Sequence, residues 1–156
     1  MSVSLSALTV AVLFQNTLPI LAQLDQQTFT TQMSGAEEVP PVDTVVTGTA
    51  EFNLSSDKSS IGYQLNATGI SGVTAAHIHS GNVGENGPVI VTLFDSDTPT
   101  DQINGILAEG TVSASDLEGP MEGKEISDLV SEMSNGVTYV NVRTEANPDG
   151  EIRGQI

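Results

Sequence analysis

Two histidines, His77 and His79, are the only imidazoles in the chain, and they stand two positions apart in Ala75-Ala76-His77-Ile78-His79-Ser80-Gly81. Residues i and i+2 of a strand point to one side, so both rings are expected on one face, with Ile78 turned into the core. Two neutral imidazoles on one face suit copper or zinc. Completing the coordination would need carboxylates, an amide or water, because the chain holds no cysteine. The competing reading is that the pair hydrogen-bonds to neighbouring loops and holds the Gly81–Gly87 connection in place. A second cluster, Asp95, Asp97 and Asp101, spaces three carboxylates at a step that can wrap calcium, although it lacks the glycine and closing glutamate of an EF-hand loop. Arg143 and Arg153 are candidates for binding an anion or forming ion pairs. Arg143 is expected to pair with Glu85, Glu145 or Asp149, and Arg153 to bridge carboxylates or backbone carbonyls and so fix the last strand. Asn53-Leu54-Ser55 and Asn66-Ala67-Thr68 satisfy the N-glycosylation rule.

Nothing in the chain matches a nucleophile elbow, a phosphate loop or a zinc-protease helix. Aromatic residues make up only 4%, too few for a sugar-stacking cleft. The balance falls toward a binding or structural module rather than an enzyme.

The elements that must position these residues alternate on a period of two. Ala50, Phe52 and Leu54 share one face, and Ile61, Tyr63, Leu65 and Ala67 repeat the pattern after a Ser-Ser-Asp-Lys-Ser turn. That predicts a hairpin of residues 45–54 and 60–68. Further strands are expected at 27–33, 73–79, 88–94, 104–112, 137–144 and 150–156, separated by Gly- and Pro-containing turns. Ile126, Leu129, Val130 and Met133 instead fall at helical spacing, and Asn135-Gly136 supplies a stop. Many short strands with one short helix on a connection predict an all-β, antiparallel β-sandwich, Greek-key-like in its connections. Glu37–Pro41 reads as a rigid, extended lead-in to it.

Composition sets the setting. Twenty Asp and Glu face four Lys and Arg, for a formal net charge of −16. Such a surface repels phosphate backbones, so no nucleic-acid partner is expected, and no basic patch draws it to an anionic membrane. Hydrophobic residues at 38% suffice for one modest core. Residues 2–22 carry no charge and end on a small residue, Ala22, which reads as a signal peptide at 1–22, without the usual basic start. Gln15, Asn16 and Pro19 break that run below spanning length, so no stable membrane insertion is expected after cleavage. A short leader at 23–27 then precedes one domain at 28–156. The expected location is secreted, extracellular or in the cell envelope.

Three motifs, in order, resemble the CHRD (chordin) domain family. They are Ser34-Gly35-Ala36-Glu37-Glu38-Val39-Pro40-Pro41-Val42; Thr74 to His79 with Asn86-Gly87-Pro88-Val89; and Tyr139 to Thr144 with Asn147 to Gln155. The resemblance spans about residues 28–156 and implies an extracellular β-sandwich that engages an extracellular protein, a matrix component or itself as a self-assembling subunit. The His-x-His strand is also similar to the copper-binding strand of copper/zinc superoxide dismutases, which implies a dismutase-like alternative. Relatives typically carry His where this chain has Arg143. A guanidinium there cannot ligate a metal and repels a cation.

Overall fold

The computed structural model describes residues 26–156, so the expected signal peptide at 1–22 and most of the 23–27 leader lie outside the described residues. Alternation in the rest of the chain becomes eight strands on the expected segments. They are β1 (Thr28–Ser34), β2 (Thr47–Leu54), β3 (Ser60–Ile70), β4 (Val73–Ser80), β5 (Val89–Asp95), β6 (Ile103–Ser113), β7 (Thr138–Thr144) and β8 (Ile152–Gln155). They form one sheet in the order β5-β4-β7-β8-β1-β2-β3-β6, and every pairing is antiparallel. A single register pair, Ser34 opposite Arg153, joins β1 to β8. The sheet therefore folds as two halves, β5-β4-β7-β8 and β1-β2-β3-β6, over one core.

Phe52, Leu65, Ile70, Ile78, Val140, Val142 and Ile152 fill that core and are fully buried. Each such side chain contributes about 1.5–3 kcal/mol relative to leaving it in water. The terminal strands β5 and β6 come round toward each other. Tyr63 on β3 donates its hydroxyl to Leu93 O on β5 at 2.6 Å, and Val91 bridges to Leu117 just beyond β6. The result is a nearly closed sandwich-barrel.

The helix forms where its spacing places it, as α1 (Ile126–Ser134), burying Ile126, Leu129 and Met133. The Asp128 carboxylate accepts from the Glu125 backbone N–H at 3.0 Å, satisfying one of the free donors of the first turn. Gly136, at φ 69°, closes the other end.

Two segments depart from the sequence reading. Ala114–Asp116 and Gly119–Met121 form short 3-10 helices that carry Leu117 and Met121 into the core, where the pattern predicts a plain connection. The Glu37–Pro41 lead-in is extended only in part: Glu38 has extended backbone, while Glu37 ends a turn. Gly35–Glu37 is a 3-10 turn, and Gly35 O accepts from both Glu38 N and Val42 N, at 3.2 and 2.9 Å. Those two bonds replace ladder pairing and fold the loop over the sheet. A Cβ at Gly35 would collide with Val42 O, so only glycine permits this close return.

Candidate functional site

Residues that alternate with the core on β4, β7 and β8 point away from it, and most of them are polar. His77 and His79 come from β4, Tyr139, Asn141 and Arg143 from β7, and Arg153 and Gln155 from β8. The register sets His77 opposite Asn141, His79 opposite Tyr139 and Ala75 opposite Arg143, with Arg153 opposite Asn141 on the other side. Strand alternation leads one to expect a solvated face. Instead, His79, Tyr139, Asn141 and Arg153 are buried, because loops 35–46, 81–88 and 145–151 close over them. The three sequence motifs thus meet in a second, polar core.

His79 is held on both nitrogens. Nδ1 lies 2.8 Å from Gly87 O, and Nε2 lies 3.1 Å from Asn141 Oδ1. The Asn141 amide NH2 donates to Asp149 O at 3.0 Å, which fixes its oxygen toward the ring. A neutral imidazole donates from one nitrogen only, so one of the two contacts lacks a proton unless the ring is charged. Burial nonetheless pushes the His79 pKa below its usual value, with Arg143 and Arg153 acting the same way against the two hydrogen bonds. The ring stacks on Tyr139, with centroids 4.7 Å apart and planes 8° from parallel.

Arg153 is the other anchor. Its guanidinium sits 3.4 Å from the Tyr139 ring centroid, a cation–π contact inside the protein. It donates to Asn82 O, Asn86 Oδ1 and Gln155 Oε1 at 3.1, 3.3 and 3.3 Å. Of the partners expected for it, carboxylates or backbone carbonyls, only Asn82 O is met; the other two acceptors are side-chain amide oxygens. These bonds tie β8 to the 81–88 loop. Gly87 lets that loop pack close, since a Cβ there would collide with Ser80 O.

His77 and Arg143 sit half-buried at the open rim of this cluster. His77 Nδ1 and Arg143 Nε are both buried without a hydrogen-bond partner. Glu85, one acid expected to pair with Arg143, accepts from Asn82 instead, at 2.9 Å. Burial pushes the His77 pKa down to about 4, and the Arg143 charge and His79 add to that against weaker pulls from Glu118 and Asp95. The two imidazole centroids are 5.8 Å apart with planes 85° apart.

Copper or zinc finds little here. Among the described residues no group of three His, Cys, Asp or Glu converges to hold an ion. Both His79 nitrogens face protein oxygens, and a guanidinium shares the face. The residues present do not fit such a centre, so no chemistry is routed through one. Asp95, Asp97 and Asp101 are all exposed. Asn53 lies on β2, bonded to Glu51 and Thr28, and Asn66 on β3, bonded to Gln64; both are half-buried on the sheet.

One member of the cluster escapes the sequence reading. Glu38 is only 6% exposed, and its Oε1 is buried without a hydrogen-bond partner. Burial raises its pKa from 4.5 to about 7, opposed by the charges of Arg153 and Arg143. Gly150, at φ 145°, makes room for it: a Cβ there would lie 2.5 Å from Glu38 Oε1. The first motif marks this stretch of chain, but nothing local marks Glu38 over Glu37 as the buried one.

Fold and site together define an all-β sandwich-barrel whose loops bury a polar face. The chain belongs to the CHRD domain family, whose family model matches residues 29–156. Chordin from Xenopus laevis is 31% identical over 132 residues, which is 80% of this chain and 12% of chordin. The chain therefore spans about an eighth of the length of that relative. No solved structure matches it. Among the described residues, no helix is long and apolar enough to cross a membrane.

Proposed function

We propose that this chain is an exported binding module, engaging an extracellular protein or matrix component through the loops that cover β4, β7 and β8. One observation carries the reading: Arg153, Tyr139 and His79 lock the 81–88 loop over the polar cluster, Asn86 ties that loop to Val39 O of the first loop, and Asn141 holds Asp149 O of the third. A rigid scaffold that presents several loops on one side is how many binding surfaces are built. The acidic surface favours a basic partner over an acidic one.

Two measurements test it. Expression in an exporting host, followed by N-terminal sequencing, is expected to find the protein outside the cell and starting near Gln23; full-length protein kept inside would refute export. Immobilised domain is then offered the extracellular fraction of its source cells. A partner is expected to be retained by the wild type and lost with Val83→Asp, a change at a 71% exposed position on the 81–88 loop. Equal retention by both would move the working surface elsewhere. A second copy of the chain, the self-assembling case, would show as a concentration-dependent mass on sizing.

The metal reading draws on one observation, the unpartnered Nδ1 of His77. Calorimetric titration with copper(II) and zinc(II) is expected to give the same diffuse uptake in wild type and in the His77→Ala/His79→Ala double variant. Tight one-to-one binding confined to the wild type would overturn that expectation and reopen dismutase-like chemistry.

A further inference from the structure

Beside the locked loops lies a cleft of about 210 Å³, walled by residues of the first and third motifs and touched by Asn86 of the second. It is smaller than the roughly 300–1,000 Å³ of sites for drug-sized ligands, so it suits one long side chain. Pro40, Pro41 and Pro148 form exposed apolar walls, Asp149 stands at the mouth, and Glu38 lies at the buried end against Gly150. No lysine, arginine or histidine lines it among the described residues.

The Glu38 carboxyl is what makes this cleft unusual. It is more than nine-tenths buried, and its Oε1 accepts no hydrogen bond. A buried carboxylate without a donor costs free energy that a cation could return. The two arginines that feel its charge do not fill that role. Arg153 directs its hydrogen bonds to Asn82, Asn86 and Gln155, and Arg143 leaves its own Nε unpartnered. Oε1 itself is closed off against Gly150, so a cation on an apolar stem would meet the Glu38 carboxylate from the side that lines the cleft.

We propose that this cleft receives a lysine or arginine side chain of the partner protein, its stem against the prolines and its cationic head at Glu38. Proline rings are preformed walls, so little ordering is needed before the stem packs. The mouth carboxylate of Asp149 draws the cation in, and Glu38 holds it away from water, where the attraction is stronger. The proposal rests on the binding-module reading and names the chemistry of its partner.

The test titrates the full chain with Nα-acetyl-lysine methylamide, its arginine counterpart, and the norleucine analogue that keeps the stem and lacks the charge. At about pH 8, saturable one-to-one binding of at least one cationic compound is expected, with none for norleucine. The better binder identifies the head group. Affinity should fall about tenfold or more near pH 5.5, where Glu38 is mostly protonated. Glu38→Gln should abolish binding. Asp149→Lys changes an exposed side chain outside the core and should weaken binding about tenfold, so a folding defect in the first variant does not decide the matter. Binding that survives Glu38→Gln, or norleucine binding equal to lysine, would overturn the proposal. So would failure of both cationic compounds to bind. If the wild-type domain still retained a partner through its loops in that case, the module reading would stand and only the cleft assignment would fall.

Discussion

Replacing Arg153 by alanine is expected to lower the free energy of unfolding by about 3–5 kcal/mol, the range for truncating a large, fully buried side chain. Arg153 is 2% exposed and is among the largest fully buried side chains. Its loss opens a cavity beside Tyr139, removes a cation–π contact worth up to about 2 kcal/mol when desolvated, and strips donors from three oxygens. Water can reach Asn82 and Asn86, which are exposed, so those two acceptors recover part of their bonding. The packing terms therefore dominate, and alanine should cost more than lysine. Lysine keeps the charge but has no planar fork to reach three acceptors while lying flat on a ring, so Arg153→Lys is expected to lose about 2 kcal/mol. Urea unfolding measures both changes, as a shift in midpoint at unchanged slope. A loss below about 1 kcal/mol for the alanine variant would mean that the guanidinium is a passenger in the cluster. In a domain of ordinary stability, about 5–15 kcal/mol, the expected loss would also free the 81–88 loop that the proposed function needs held.

How much of this the sequence discloses follows from what alternation can and cannot say. Period two marks which residues of β7 share a face, so the sequence alone groups Tyr139, Asn141 and Arg143 together, opposite Val140 and Val142. It also puts His77 and His79 on one side of β4, and the register sets Arg143 on the same face, across from Ala75. Alternation separates the two faces of a strand; it does not tell whether the outer one meets water. Here it meets loops whose closure depends on contacts far apart in the chain, such as Arg153 with Asn82 and Asn86. The sequence expects Arg153 to fix the last strand and places Tyr139 on a face without saying what covers it; the two turn out to lie in a buried core. Glu38 is illegible for the same reason. Its burial is set by Gly150, more than a hundred residues later, and no pattern within the first motif distinguishes it from exposed Glu37. The glycines offer a faint signal. Gly87 and Gly150 look like turn residues, and their actual demand is for space, against Ser80 O and the Glu38 carboxyl.

Glu38 should also make the domain less stable as pH rises from about 4.5 to about 7. Its folded pKa lies near 7, above the ordinary 4.5, because burial disfavours the charged form more than Arg153 and Arg143 favour it. The folded state therefore holds this proton more tightly than the unfolded chain does. The stabilisation is fully present below about 4.5, is lost progressively as pH rises through 7, and stays lost above. A shift of this size corresponds to about 3 kcal/mol over the whole window. His77 works in the opposite direction. Its pKa is lowered to about 4, so its contribution is complete above 6.5 and is lost as pH falls toward 4. The two groups offset each other between about pH 4.5 and 6.5, and the repulsion among twenty acidic side chains adds a further rise of instability with pH. The wild-type curve alone is thus uninformative, and the difference from Glu38→Gln isolates the group. The glutamine variant should match the wild type within about 1 kcal/mol near pH 4 and exceed it by about 3 kcal/mol near pH 8, read from urea midpoints at each pH. A difference that stays flat across that range would place the Glu38 carboxyl in contact with water or a counter-charge. The cleft would then have no unpartnered acceptor to offer a lysine or arginine, so this one stability series also bears on what the domain binds.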